Sequence, residues 1–514
     1  MLDATPLLRV YTRRRAAVLA AQNSIETQRA GLLRLIRRAG NTRFGREHGF
    51  DSIRDVSDFQ HQVSLRRYED FWRDYWQPVF PHLGNISWPG RIPYFALTSG
   101  TTSGKTKYIP VSPEMSASNR GAVLDLFTWH LEACGDSRLL GGRNFMLGGS
   151  TALEELAPGV SAGDLSGIAA REMPLWTRPW SFPPPRLALL ADWEDKIDRL
   201  AHLSLAEDVR SLSGTPSWVL LFFERLAGLR PQRPTRIGSW YPRFELFIHG
   251  GVDFAPYRRR FETIFEGSRA EMREVYPASE GFIAVADRGY GEGLRMILDR
   301  GLFYEFVPVG EVGAPTPTRH WLATAEPGVD YALVLSSNAG LFGYVLGDTV
   351  RLISRQPPRV LVTGRLSCTL TAFGEHLIGE EIEQAIAHAA EEIGTSVTDY
   401  MVGPMFPDAS EQRGGHRYVV EFAVVPAGAD ALARFAAVLD ASLSLQNADY
   451  RYHRAGDFGM KPPEVVMVPA GSFALWMRAR RALGGQHKVP RVSGDGALLQ
   501  DVETFLKQAR PQSV

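Results

Sequence analysis

Apolar positions Leu19, Leu32, Leu33, Leu35 and Ile36 recur through residues 12–39 among Arg, Gln and Ala, which predicts helix with a partly apolar face. Further helices are predicted over Pro113 to Cys134 and Asp192 to Ser211. Between and beyond them, Ile92 to Leu97, Phe145 to Leu147, Phe244 to Ile248 and Tyr331 to Ser336 are short apolar or β-branched runs that read as strands. This alternation predicts α/β layers. Met173 to Arg186, with five prolines, and Pro308 to Thr318 read as loops, the first anchored by Trp176 and Trp180 or serving as a lid. The texture changes at residues 364–370. Beyond them Ile378, Ile382, Ala385, Ile386 and Ala389 keep helical spacing, Tyr400 to Val402 and Tyr418 to Val425 read as strands, and Ala431 to Leu445 as helix. The expectation is an α/β protein with a large domain over 1–365 and a small α+β domain over 366–514.

Composition narrows the classes. The 514 residues are 44% hydrophobic and 22% charged, an ordinary globular mix that argues against disorder. Lys plus Arg and Asp plus Glu each number 57, so no net field draws in nucleic acid or an anionic membrane. Cys134 and Cys368 form no C-x-x-C pair or zinc spacing. No amino-terminal apolar stretch has signal length, and runs such as Trp218 to Phe223 are too short to span a bilayer, so a cytoplasmic protein is expected.

Three segments carry candidate chemistry. Thr98-Ser99-Gly100-Thr101-Thr102-Ser103-Gly104-Lys105-Thr106-Lys107 offers small hydroxyls, flexible backbone N–H groups and two lysines, a composition that can close around phosphate oxygens. It lacks the glycine spacing of a P-loop, and Lys107 to Val111 reads as a strand; a plain turn is the alternative. Tyr276-Pro277-Ala278-Ser279-Glu280-Gly281 places a carboxylate near an aromatic ring and a hydroxyl, groups able to hold magnesium near phosphates and to stack on a base. Gly347-Asp348, at the end of a predicted strand, puts a carboxylate where it can accept from both ribose hydroxyls. A turn is the alternative for each. Gly364-Arg365, Thr371 to His376 and Gln486-His487-Lys488-Val489-Pro490-Arg491 follow.

In this order the segments resemble the adenylate-forming superfamily. Their spelling is similar to the auxin-responsive-promoter family of acyl acid amido synthetases: Thr42-x-Phe44-Gly45, Asp58-Phe59, Tyr68-Glu69-Asp70, the loop with Lys107-x-Ile109-Pro110, Glu305-Phe306-x-Pro308 and Gln486-x-Lys488-x-Pro490-Arg491. The resemblance implies a large adenylate-forming domain of layered sheets and helices with a small mobile carboxy-terminal domain. It implies ATP and Mg2+ as requirements, a small carboxylic acid and an amino acid as substrates, and conjugation through an acyl-adenylate. By the same resemblance Ser99, Gly100, Thr101, Thr102 and Lys107 cradle the ATP phosphates, Tyr276 flanks the adenine, Ser279 and Glu280 stand at the magnesium and phosphates, Asp348 binds the ribose, Arg365 marks the hinge and Lys488 acts in adenylation. A monomer is expected.

The chain departs from plant members at Phe342-Gly343-Tyr344-Val345, where many carry arginines, and at His376, where plant sequences can carry lysine. His376 reads as a polar residue leading into a helix, with a base role as the alternative; His249 reads as a hydrogen-bonded structural imidazole, and His487 shares that ambiguity. Coenzyme A, a hydroxyl or a carrier thiol would serve equally as acceptor after activation. A nucleotide-binding protein without turnover is the remaining alternative, although it would have no chemical need for Lys488.

Overall fold

In the computed structural model, which describes residues 2–98, 106–148, 153–188, 190, 193–252, 254–366, 369–370, 372–375, 377–407, 413–428, 430–457, 459–479, 489, 491–494 and 496–509, Asn23 divides the first helical pattern. Its side chain accepts from Glu26 N at 3.1 Å and starts a second helix, Ser24–Ala39, after Thr5–Ala20. The single helix expected over 12–39 is therefore two. The helix Pro113–Ala133 is capped by Ser112 Oγ, which accepts from Met115 N and donates to Asn338 O at 2.6 Å. The predicted helix Asp192 to Ser211 instead ends at Ser204, and Val209–Gly214 pairs as a strand.

The described residues fall into two compact units, one within 1–98, 107–254 and 258–366, the other chiefly within 367–514. The larger unit has two sheets. Strands β1 (Tyr94–Thr98), β2 (Lys107–Val111), β4 (Glu154–Ala157) and β5 (Val160–Gly163) form one, in the order β2-β1-β5-β4; β3 (Arg143–Leu147) belongs to the other. With it run β6 (Ser181–Phe182), β7 (Val209–Gly214), β8 (Leu246–Gly250), β9 (Glu271–Ala278), β10 (Gly281–Val285), β11 (Leu294–Met296), β12 (Leu302–Pro308), β13 (His320–Trp321), β14 (Asp330–Ser337), β15 (Tyr344–Arg355) and β16 (Pro358–Arg365). Their order is β13-β12-β14-β15-β16-β11-β10-β9-β8-β7-β3-β6. Strands β3, β7, β8 and β9 are parallel, joined by crossovers that include the helices Trp193–Ser204 and Pro216–Leu229; from β9 to β13 every pairing is antiparallel.

Long-range polar contacts hold the amino-terminal helices to this sheet. Arg15 bridges Asp125 and Asp299, each at 2.7 Å, and buried Gln28 donates to Leu298 O and Leu302 O while accepting from Tyr304 N. The Glu305 carboxylate, wholly buried, is met by both arms of Arg319 and by Gln60 at 2.9 Å, so the buried charge is paired and hydrogen-bonded. Phe44 stacks between Phe71 and Phe342 in the core.

Within the smaller unit, β17 (Thr369–Leu370) pairs with β18 (Leu377–Ile378), and β19 (Val397–Met405), β20 (Gly415–Phe422) and β21 (Glu464–Val468) make a three-stranded sheet. The helices Gly379–Glu392 and Ala431–Gln446 supply Ile382, Ile386, Phe435 and Leu439 to its core. In the 173–186 segment Trp180 Nε1 donates to Leu2 O, whereas Trp176 is 71% exposed and anchors nothing. No helix among the described residues is long and apolar enough to cross a membrane.

Candidate active site

The antiparallel register Thr98↔Lys107 closes the first candidate segment at its base. Ser99, Gly100, Thr101 and Thr102 lie outside the described residues, as do Lys105, His376, His487 and Lys488. Lys107 is described and almost buried: its Nζ lies 5.2 Å from the Tyr68 ring centroid and 3.5 Å from Glu69 Oε1. Tyr68 is fixed in turn by its hydroxyl, which accepts from Tyr108 N at 3.0 Å. The Tyr-Glu-Asp triplet thus positions the lysine at the mouth of the hairpin.

Ala278 and Gly281 are register partners, so Ser279 and Glu280 are the two-residue turn between β9 and β10. Glu280 is buried, and burial pushes its carboxyl above the usual carboxylate range. Its own backbone hydrogen bond, the Tyr344 hydroxyl donating to it and the positive charge of Lys107 pull the other way, while Asp348 adds to the rise. Glu280 is thus a buried acid that interacts with both a lysine and a second carboxylate.

Asp348 is not at a strand end as the sequence suggests, but inside β15. Opposite β14 the pairing runs from Ala332↔Thr349 to Val334↔Val345, leaving extra residues on β15 at Leu346, Gly347 and Asp348. Gly347 takes φ +97, a conformation a side chain resists, and the resulting bulge redirects the following residue. Asp348 then accepts from the Tyr276 hydroxyl at 2.6 Å. Tyr276, Glu280, Tyr344 and Asp348, with Lys107 at its edge, therefore form one interacting group drawn from β2, β9, the β9–β10 turn and β15. Arg365 is the register partner of Asp348 on β16.

Tyr344 was legible only as a departure from the plant spelling, and nothing local marks it as a partner of Glu280; its hydroxyl, fully buried against that carboxylate, stays far above the ordinary tyrosine range. His249 is also buried. Its ring stacks on Phe254 with centroids 3.7 Å apart, and Nδ1 has no hydrogen-bond partner among the described residues, so the hydrogen-bonded imidazole expected from sequence is not what that nitrogen shows. Burial holds it neutral, with its pKa down to about 3.

Comparison with known proteins gives consistent matches. Family models for the GH3 family N-terminal, central and C-terminal domains match residues 14–144, 295–365 and 380–497, together more than half of the chain. Indole-3-acetic acid-amido synthetase GH3.8 of Oryza sativa subsp. indica is 28% identical over 207 residues, covering 37% of this chain and 33% of that protein. Probable indole-3-acetic acid-amido synthetase GH3.9 of Oryza sativa subsp. japonica is 29% identical over 250 residues, 44% of this chain and 55% of its own. The matched region thus spans about a third to somewhat over half the length of these relatives. Among solved structures, GH3.15 acyl acid amido synthetase superposes with a TM-score of 0.58 at 18% identity, covering 95% of this chain and 94% of that one. 2-Hydroxyisobutyryl-CoA ligase, in complex with 2-HIB-AMP and CoA, gives 0.57 at 15% identity, covering 96% and 94%. These likenesses establish the fold.

Proposed function

Because the chain belongs to the GH3 family, we propose that it is an ATP-dependent acyl acid amido synthetase, which activates a carboxylic acid as its acyl-adenylate and transfers the acyl group to an amino acid. The observation that carries this reading is the convergence of Lys107, Glu280 and Asp348 from three separate strand features on one interacting group.

In the first half-reaction an acid carboxylate oxygen attacks the α-phosphorus of ATP, forming the P–O bond of a mixed anhydride as the bond to pyrophosphate breaks. Ser99, Gly100, Thr101 and Thr102 cradle the phosphates by backbone and hydroxyl donors, and Lys107 adds charge at the loop's base. Tyr276 flanks the adenine, and Asp348, held by the Tyr276 hydroxyl, accepts from the ribose. Hard carboxylate oxygen in a buried site suits magnesium, and Glu280 beside Ser279 would hold that ion, which supplies positive charge against the triphosphate. Lys488, carried by the 366–514 domain with Arg365 at its boundary, stabilises charge on the α-phosphate. In the second half-reaction the amine attacks the activated carbonyl, AMP leaves and the nitrogen gives up a proton. The protein is read as a cytoplasmic monomer; cysteines that fall in no C-x-x-C pair or zinc spacing support the compartment.

The test is acid-dependent ATP/pyrophosphate exchange over aromatic, fatty and oxo acids, followed by product mass spectrometry with mixed amino acids and, separately, coenzyme A. Amides support the proposal. Exchange with thioester but no amide would replace the acceptor, and no exchange with any acid would leave a nucleotide-binding protein without turnover.

A further inference from the structure

At the far end of β9 from Tyr276 lies a second cluster of chemistry-bearing side chains. His130 lies in the last turn of the helix Pro113–Ala133, and Cys134 caps its carboxy-terminal end with its N–H donating to His130 O. Glu271 opens β9 opposite them, and one ligand atom from each of the three residues lies within 4.8 Å of the others. Tyr276 lies five positions along the strand from Glu271, about 17 Å at the usual rise, so the cluster is distinct from the proposed nucleotide site. We propose that His130, Cys134 and Glu271 form a binding site for a divalent cation of zinc type.

Imidazole nitrogen, thiolate sulfur and carboxylate oxygen are the donor set such an ion takes, and three protein ligands leave a fourth position for water. Tetrahedral bonds of ordinary length place neighbouring donor atoms about 3.3 to 3.8 Å apart. His130 Nδ1 and Glu271 Oε2, at 2.8 Å, need to part by roughly half an ångström for this, with the ion between them in place of a proton. The surroundings already orient the ligands. His130 Nε2 faces Ser137 Oγ at 3.3 Å, and that hydroxyl donates to Glu245 Oε2 at 2.5 Å, so a carboxylate supports the imidazole through the serine. Arg210 holds Glu245 at 2.7 Å, and Arg273 Nε holds Glu271 at 2.8 Å.

Glu245, Glu271 and Asp136 face this cluster as anions, Arg273 and Arg210 as cations. Binding of the ion would displace the proton shared by His130 and Glu271 and that of the thiol. The cation would add bonds linking the end of a helix to the start of a central strand.

The experiment is titration of the chelator-stripped full chain with Co2+, read by its thiolate-to-metal charge-transfer band, and with Zn2+ by equilibrium dialysis. About one equivalent of either ion is expected, with Cys134→Ser abolishing the band and weakening Zn2+ binding at least about tenfold. Cys134 is only partly buried, so that variant should keep its fold, checked by circular dichroism; His130→Gln serves as the second. No band at saturating Co2+ would overturn the proposal, and so would a band that persists in folded Cys134→Ser, since it would then come from Cys368.

Discussion

The Tyr276 hydroxyl donates to Asp348 Oδ2 over 2.6 Å although the two residues are 72 apart in sequence, and both side chains are more than nine-tenths buried. The bond orients the carboxylate that is proposed to accept from the ribose. Asp348→Ala should weaken ATP binding by about 1.5 to 3 kcal/mol, the range for a lost charge-assisted hydrogen bond. Tyr276→Phe, which removes only the orienting hydroxyl, should cost about 0.5 to 1.5 kcal/mol. Calorimetric titration that gives a folded Asp348→Ala protein its full ATP affinity would refute the ribose assignment.

Glu280→Gln should raise stability at neutral pH while lowering adenylation. Burial lifts the folded-state pKa of Glu280 above its unfolded value, so the folded protein binds more protons in that window and loses stability as pH rises through it. An amide avoids the charging cost and still accepts from Tyr344. A gain of roughly 0.5 to 2 kcal/mol in urea unfolding at pH 7 is expected, with a higher Mg2+ requirement for pyrophosphate exchange. In the wild type, exchange should decline with falling pH at values above the normal glutamate range, and the variant should lack that limb. Full exchange in excess chelator would remove Glu280 from a metal role.

His249 predicts an acid sensitivity. Its folded pKa of about 3 lies below the free value of 6.5, so the unfolded chain binds the extra proton between them and stability falls as pH drops from 6.5 toward 3. His249→Phe keeps a ring against Phe254 and removes the titration. Relative to wild type it should gain about 1.4 kcal/mol per pH unit within that window, seen by comparing urea midpoints at pH 7 and 4.5. Parallel curves would show that the imidazole is not neutral in the fold.

For Lys488→Ala we expect adenylation slower by roughly 10²- to 10³-fold with ATP binding nearly intact, and little change when synthetic acyl-adenylate is supplied with an amino acid. Equal loss in both half-reactions would assign the lysine a structural part.

Lys107, Glu280 and Asp348 could be picked out in the sequence because each lies in a short local pattern. Their connection could not. It depends on the bulge at Gly347, created by pairing with β14, and on Tyr344, whose partner is 64 residues earlier in the chain and unmarked by spacing. Layered α/β architecture was legible from apolar runs, and so were β1, β2, β3, β8, β14, β19 and β20; the other strands were not read from such runs. The exceptions have local causes: Asn23 caps a new helix inside a continuous helical composition, and Val209–Gly214 becomes a strand because β3 and β8 lie ready on either side, which overrides its helix-like flank. Trp176 looked like an anchor by composition, but only Trp180 has a backbone carbonyl to bind.

The Arg15 bridge sets an order on synthesis. Its second carboxylate, Asp299, is 284 residues downstream, and Gln28 waits for Leu298, Leu302 and Tyr304. At ribosomal speeds of about 5 to 20 residues per second, roughly 15 to 60 s pass before those partners exist. The first two helices therefore leave the ribosome well before the polar groups that tie them to the rest of the larger unit.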